Sequence, residues 1–518
     1  MKKALFLLGT AWLFSTAAAQ SPGDLDPAFS GNGYVTLNGP TPGDYISLTN
    51  VDAMADGRIV AAGRISYSFT GPYFIAARYL DNGDLDTSFA QTGTVILTDH
   101  ELTGDESGMD LQADGKVLLA GAINYQNVTL NAIYRLNVDG SLDSTFGVNG
   151  LVLDSLTTES HHFFSVHAES SGRILVTSSG DDGVSVTAFQ SDGQRDLSYG
   201  SGDGRVHAAF PSSQQPLLLN TFLQADGKML TLSYADSITR YVTRVTAQGV
   251  VDSTFDGDGI QLLTYQALGA SPEDITANTA GDIFLSAYFD QGNFEIVAVF
   301  KFTPSGVRDS SFGNNGVARM GEPNTDCYPY GIMIAPDGRI LLTGEVYTNS
   351  GAQGIFVGRM MPNGQADSSF SSTGMSTPYL NANYHTAANI ALQPDGKILS
   401  VGTYIDLQGE WTGVVCRFIY GTLLGTEAPG FPISDGTVFP NPSNGDISLK
   451  LRSEFETSLD VTVMDLTGRV VAQPYVNHPL PSGLSEFRMD LQDIPSGAYL
   501  LLTKAGSAVQ SHRIVIAH

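Results

Sequence analysis

A short signature, Asp-x-x-aromatic, recurs seven times at intervals of 53 to 60 residues: Asp26 to Phe29, Asp86 to Phe89, Asp143 to Phe146, Asp196 to Tyr199, Asp252 to Phe255, Asp309 to Phe312 and Asp367 to Phe370. Between successive copies stands a second signature, Gly after a polar or small residue and, in most copies, before Lys or Arg. It reads Asp56-Gly57-Arg58, Asp114-Gly115-Lys116, Ser171-Gly172-Arg173, Asp226-Gly227-Lys228, Ala280-Gly281-Asp282, Asp337-Gly338-Arg339 and Asp395-Gly396-Lys397. Self-similarity at such a period makes the chain a tandem array of supersecondary units.

Asp-Gly between apolar segments predicts a tight hairpin, because Gly accepts the positive φ that such turns require. In the first full copy the flanking segments are Ser47 to Ala55 and Arg58 to Ser66. A third, Tyr73 to Leu80, ends in Asp81-Asn82-Gly83, and a fourth, Thr94 to Leu97, follows the aromatic signature. No segment sustains a 3.6-residue period, so each copy reads as four short strands. A lone sheet of that size leaves a face bare, and stacking the copies face to face makes a radial propeller. The expected fold class is all-β: a seven-bladed β-propeller followed by a small antiparallel β-sandwich. The first copy lacks a third strand before its signature, and the last, Gly413 to Tyr420, lacks a signature after it. The N-terminal segment is therefore predicted to join the sheet containing Val414 to Phe418 and close the ring, leaving no long edge exposed.

Eight residues before the recurring Asp stands a basic residue in five copies, Arg78, Arg135, Arg244, Lys301 and Arg359, while the third copy has Ala188. Arg417 is the equivalent in the last blade, facing Asp26 from the other end of the chain. The seven aspartates invite a reading as a ring of metal sites. Calcium takes about six or more oxygens and the signature supplies one dependable carboxylate, so a turn carboxylate facing a cation is preferred. The recurring aromatic reads as a core plug rather than a stacking ring.

Composition narrows the function. With 26 Lys plus Arg against 53 Asp plus Glu, the formal charge of −27 excludes a phosphate-binding surface, so no nucleic acid is expected. The first residues are an address: Lys2 and Lys3, an apolar run Ala4 to Phe14, then Ala17-Ala18-Ala19 before Gln20 form a secretory signal over 1–19. That run falls short of the roughly 18 residues a membrane span needs. Cys327 and Cys416 are able to pair in an oxidising compartment, but read more simply as small apolar core residues.

Segments such as Asn82-Gly83-Asp84-Leu85-Asp86-Thr87-Ser88-Phe89 and Leu111 to Gly121 resemble the delta-60 repeat of exported bacterial proteins, over about residues 23 to 421. The resemblance implies a propeller and brings no catalytic residues. After a Gly/Pro/Thr/Ser-rich linker, the last part of the chain has its own alternating segments, Ile447 to Leu451, Leu459 to Met464, Ser485 to Leu491 and Tyr499 to Thr503. Its landmarks are Phe439-Pro440-Asn441-Pro442-Ser443-Asn444-Gly445, Asp465-Leu466-Thr467-Gly468-Arg469 and Ile494-Pro495-Ser496-Gly497-Ala498-Tyr499. In that order they resemble the type A C-terminal sorting domain of type IX secretion cargo in the Bacteroidetes. The resemblance implies the type IX machinery as partner, and a product anchored at the outer surface or released. Gly468 and Gly497 are expected to permit tight turns. The expected division is signal peptide 1–19, propeller 20–421, linker 422–437 and sorting sandwich 438–518.

Catalytic motifs are missing: there is no Gly-x-Ser-x-Gly elbow, phosphate-cradling loop or His-Glu-x-x-His. His161, His162 and His167 form the only histidine cluster and read as a solvated loop, lacking partners at metal-ligand spacing. No cofactor or metal is expected. In the loops after the second strand an aromatic recurs, Tyr67, Tyr125, Tyr234, Tyr288, Tyr347 and Tyr404, with Trp411 further along the last loop. These share one end of the propeller, where they offer either loop packing or a platform for glycan or peptide. The expectation is an exported, surface-displayed or released monomer, a non-catalytic binding or adhesion scaffold. The alternative is a secreted polysaccharide hydrolase or lyase, which would require Asp, Glu or His from different blades to meet in one pocket.

Overall fold

The computed structural model describes residues 21–518 except 68–69, 105–106, 155–163, 181, 211–215, 349–352, 379, 381–383, 422–432, 454–456, 466–469, 482 and 506–507. The signal peptide, most of the linker, His161, His162, Gly468 and Arg469 lie outside the described residues. The chain forms two compact units, one ending at Thr422 and the other running Leu423–His518.

Among the described residues, the first unit holds seven antiparallel sheets. In the first sheet Tyr45–Ala53, Ile59–Ser66, Tyr73–Tyr79 and Thr94–Leu97 follow one another as a meander. The middle strands are largely buried, Tyr73–Tyr79 at every position, because both faces are covered by neighbouring sheets. Small residues make that stacking close: Ala61, Ala62, Ala76 and Ala77 are all at or below 1% exposure. The Asp-Gly hairpins form as expected, with Gly57 at φ +88°. The first strands are Tyr45–Ala53, Gly108–Leu111, Phe164–Ala168, Leu217–Leu223, Ala270–Ala277, Thr325–Ile334 and Asn389–Leu392. Each neighbours the next, and Asn389–Leu392 neighbours Tyr45–Ala53.

Closure uses both ends of the repeat region. Tyr34–Leu37 pairs antiparallel with Trp411–Phe418, Tyr34 opposite Cys416 and Leu37 opposite Gly413, and Leu25 bridges Phe418. The last sheet thus takes its outer strand from the N-terminal segment, and the edge of Trp411–Phe418 is covered. Cys327 and Cys416 are both buried and unbonded, packing as small apolar groups.

The second unit is a pair of antiparallel sheets. One contains Ile433–Phe439, Asp446–Ser453 and Gly483–Asp490; the other contains Val470–Leu480, Thr457–Asp465, Gly497–Ala505 and Ala508–Ile516. Leu449 and Leu451 from the first meet Val461, Val463 and Leu501 from the second in one core, all fully buried. The alternation read in the sequence is this inward face.

Candidate functional site

The recurring aspartates build turns. At each of Asp26, Asp86, Asp143, Asp196, Asp252, Asp309 and Asp367, Oδ1 accepts the backbone N–H two residues on, at 3.0–3.1 Å. Oδ2 faces cations. Arg78 Nε stands 2.8 Å from Asp86, Arg135 Nε 2.8 Å from Asp143, Arg244 Nε 2.8 Å from Asp252, Arg359 Nε 2.9 Å from Asp367, Arg417 Nη2 2.8 Å from Asp26 and Lys301 Nζ 3.0 Å from Asp309. Arg58, Lys116 and Arg339 of the second signature reach the same carboxylates. Burial alone would raise Asp86, but Ser88 and the two guanidiniums outweigh it and hold the carboxyl down to about 2. The arginines do more than pair. Arg78, Arg244 and Arg359 lie over the plugs Phe89, Phe255 and Phe370, and their Nη1 groups donate to the carbonyls of Val138, Pro304 and Tyr420 in the following repeat. One guanidinium therefore ties turn, plug and next sheet together.

A different position carries the chemistry. Seven residues before the second signature stand Thr49, Ser107, Leu219, Glu273, Tyr330 and Ala388. At Thr49, Leu219, Glu273 and Tyr330 the pairing register of the first strand skips one residue. A bulge re-aims its unpaired residue. All six line one cavity of about 430 Å³, together with Asn50, Asn220, Asn389, Thr386 and Glu345. Glu273 and Glu345 come from different sheets and both line this cavity, and both act on the Tyr330 phenol. Burial pushes the Glu273 carboxyl up to about 7 against the pull of Arg240, whose Nη2 is 3.6 Å away. Burial likewise raises Glu345, which accepts the Tyr347 hydroxyl at 2.5 Å.

Three of the expected aromatics join a continuous arc on this end. Tyr288 and Tyr347 flank Tyr328, with ring centroids 5.5 and 5.6 Å apart. Tyr347 stands beside Tyr384, whose ring lies 6.0 Å from Trp411, and Trp411 lies 5.0 Å from Tyr45. Trp411 is 38% exposed. The others sit apart: Tyr67 packs on Tyr73, Tyr125 on His100, Tyr234 under Arg240, and Tyr404 is buried between Tyr34 and His385. Glu273, Glu345, Tyr330, Tyr328, Tyr384 and Tyr45 were not anticipated from the sequence.

Further along the first strands lie Asp52, Asp110 and His167, each four residues before the second signature. Burial lifts Asp52 to about 6 and Asp110 to about 7. His167 departs from the solvated loop expected for it. It lies within Phe164–Ala168, 2.7 Å from Thr221 Oγ1 and 3.2 Å from Ser165 Oγ, and desolvation holds its imidazole down to about 4. Among the described residues no group of three His, Cys, Asp or Glu is placed to hold a metal ion.

In the second unit Asn441 Oδ1 accepts the Val515 amide at 2.8 Å, and Asp465 stands opposite Tyr499, whose hydroxyl donates to Pro495 O at 2.7 Å. The three landmarks therefore converge on the strands that end the chain. Residues 437–517 match the family described as secretion system C-terminal sorting domain. The second unit carries a sorting domain. Within it Gly445 has φ +106°, with the Gln492 backbone 2.7 Å from where a Cβ would stand, so glycine is required there. Gly497 differs from expectation: it opens the strand Gly497–Ala505 opposite Ile516 and carries no positive φ. Residues 55–89, 112–146 and 335–370 match the domain of unknown function (DUF5122) β-propeller, the family type of the repeat. The sorting domain marks the chain for type IX secretion, to the cell surface or the extracellular space. No curated protein matches the chain.

Solved structures are similar at low identity. Prolyl oligopeptidase B from Galerina marginata is 10% identical with a TM-score of 0.42, covering 80% of this chain, which spans 56% of that one. An exo-β-1,3-galactanase from Phanerochaete chrysosporium is 12% identical with a TM-score of 0.29, covering 68% and 95%. A hypothetical protein from Leishmania major is 10% identical with a TM-score of 0.27, covering 50% and 86%.

Proposed function

We propose that the propeller is a non-catalytic glycan-binding module, displayed on the surface or released after type IX export, and that it serves as an adhesion scaffold. The observation that carries this reading is the aromatic arc from Tyr288 to Tyr45 beside a polar cavity. Ring faces accept the apolar faces of sugars, while Thr49, Asn50 and Asn389 offer partners for vicinal hydroxyls. The division into signal 1–19, propeller 20–421, linker 422–437 and sorting sandwich 438–518 belongs to the same proposal, as does a monomeric state.

Screening the purified chain on a glycan array, followed by titration with the best glycan, tests this. Trp411→Ala is expected to weaken binding about tenfold or more, the loss typical of an exposed aromatic anchor, with an unchanged melting temperature. Silence across the array, or full affinity in Trp411→Ala, sinks the reading. A second reading, polysaccharide hydrolysis, is favoured by one observation: two carboxyls lifted by burial, Glu273 and Glu345, line one cavity. It requires release of reducing ends from the bound glycan, abolished in Glu273→Gln/Glu345→Gln. Binding without release excludes it.

A further inference from the structure

Glu273 and Glu345 differ in one respect that selects a ligand. Glu273 has Arg240 beside it, and Arg240 spends its other donors on Ser271 Oγ at 2.7 Å, Pro272 O at 3.2 Å and Asp236 O at 3.1 Å. Glu345 is 7% exposed, and among the described residues no Lys or Arg pairs with it; the partner it has is a neutral phenol. A buried carboxylate without a cation is costly to ionise. This one lines the cavity of about 430 Å³, and the 36% exposed Tyr330 stands in the same cavity wall.

Resting on the glycan reading above, we propose that the cavity receives the ammonium group of an amino sugar, with Glu345 as its counter-ion. The ammonium supplies the charge that Glu345 lacks and lies against the face of Tyr330, an attraction that strengthens when water is excluded. Asn50 and Asn389 hydrogen-bond the neighbouring hydroxyls, and the arc carries the following sugar units. Overall charge agrees: a chain of net −27 draws in a polycationic glycan and repels an anionic one.

Calorimetric titration of the full chain with a glucosamine oligomer, its N-acetylated counterpart of equal length and a lysine oligopeptide tests the inference. The amino oligomer is expected to bind about tenfold or more tightly than the acetylated one, the scale of one desolvated charge pair. Glu345→Gln is expected to erase that difference. Equal binding of both sugars by the unaltered chain overturns the ammonium site and leaves the glycan reading standing, as does a preference that survives in Glu345→Gln. Binding of the lysine peptide alone overturns the assignment to a sugar, and binding of nothing overturns both readings. The comparison between the two sugars uses the unaltered protein, so it stands whether or not the variant folds.

Discussion

Asp86 and Asp274 are the same chemical group in opposite surroundings. Asp86 sits in a turn that every repeat rebuilds, between two guanidiniums and a serine, and its carboxyl is held down to about 2. Asp274 sits in a first strand beside the axial cavity; it accepts the amides of Ile275 and Ile332, at 2.7 and 2.8 Å, and burial lifts it to about 7. The turn carboxylates pair with cations because they must hold sheets together in each copy. Asp274 has no Lys or Arg paired with it among the described residues, and its neighbour Glu273, which has Arg240 at 3.6 Å, stands at a position released from the repeat. Seven residues before the second signature the side chains run Thr, Ser, Phe, Leu, Glu, Tyr, Ala, with no common chemistry. Repetition marks the frame, and departure from it marks the site.

The sharpest way to break the contrast is at the frame. Arg244 and Asp252 are 4% and 5% exposed in their side chains, and Arg244 is the cation that pairs with Asp252. Arg244→Met is expected to cost about 3–5 kcal/mol in urea denaturation, because it strands a buried carboxylate. Adding Asp252→Asn should recover a large part of the loss. If the single variant unfolds at the same urea concentration as the unaltered chain, the arginine does not tie the sheets.

A second effect, on the order of 4 kcal/mol for Asp274, follows from the opposite directions of the shifts. Asp274 has a folded pKa above its unfolded value, so the folded state holds the extra proton. Its contribution is full below about pH 4 and is lost as pH rises toward about 7. Asp86 works the other way, contributing above its unfolded pKa and losing it as pH falls toward about 2. Asp274→Asn should therefore flatten the fall in stability between about pH 4 and about pH 7 without altering acid unfolding below about pH 4. An unchanged slope would refute the account of Asp274.

Much of the frame could be read from the chain, for a physical reason. Turns, plugs and clamps depend on residues close in sequence, such as Asp86 with Ser88 and Arg78. Ring closure was also legible, since missing strands at the two ends have a single solution, and Tyr34 does lie opposite Cys416. The site was read only in part. Tyr288, Tyr347 and Trp411 were marked by their place near strand ends, but the rings that link them, Tyr328, Tyr384 and Tyr45, belong to other strands. Glu273 and Tyr330 face the cavity through register skips, which alternation cannot reveal. Glu345 did leave a signal. It occupies the place of Arg64, Ala122, Ser179, Tyr234, Tyr288 and Thr403, the one acid at that position.

The third sheet offers the finest test, because there the frame is broken and repaired. Ala188 stands where an arginine would clamp Asp196. Arg173, from the second signature, takes over: its guanidinium lies 5.3 Å from the Tyr199 ring centroid, and its Nη2 donates to the Ala247 carbonyl at 2.7 Å. That carbonyl is the counterpart of Val138 O, which Arg78 serves two repeats earlier. Arg58, by contrast, assists an aspartate that already has Arg78. Arg173→Ala is therefore expected to destabilise the chain by about 1 kcal/mol more than Arg58→Ala, the cost of one unserved carbonyl and one stacked guanidinium. Ala188→Arg placed in the Arg173→Ala background should restore the loss, since it rebuilds the clamp of the other copies. Equal costs for the two deletions, or no rescue, would mean that the clamp is held by the turn alone and that the arginines only decorate it.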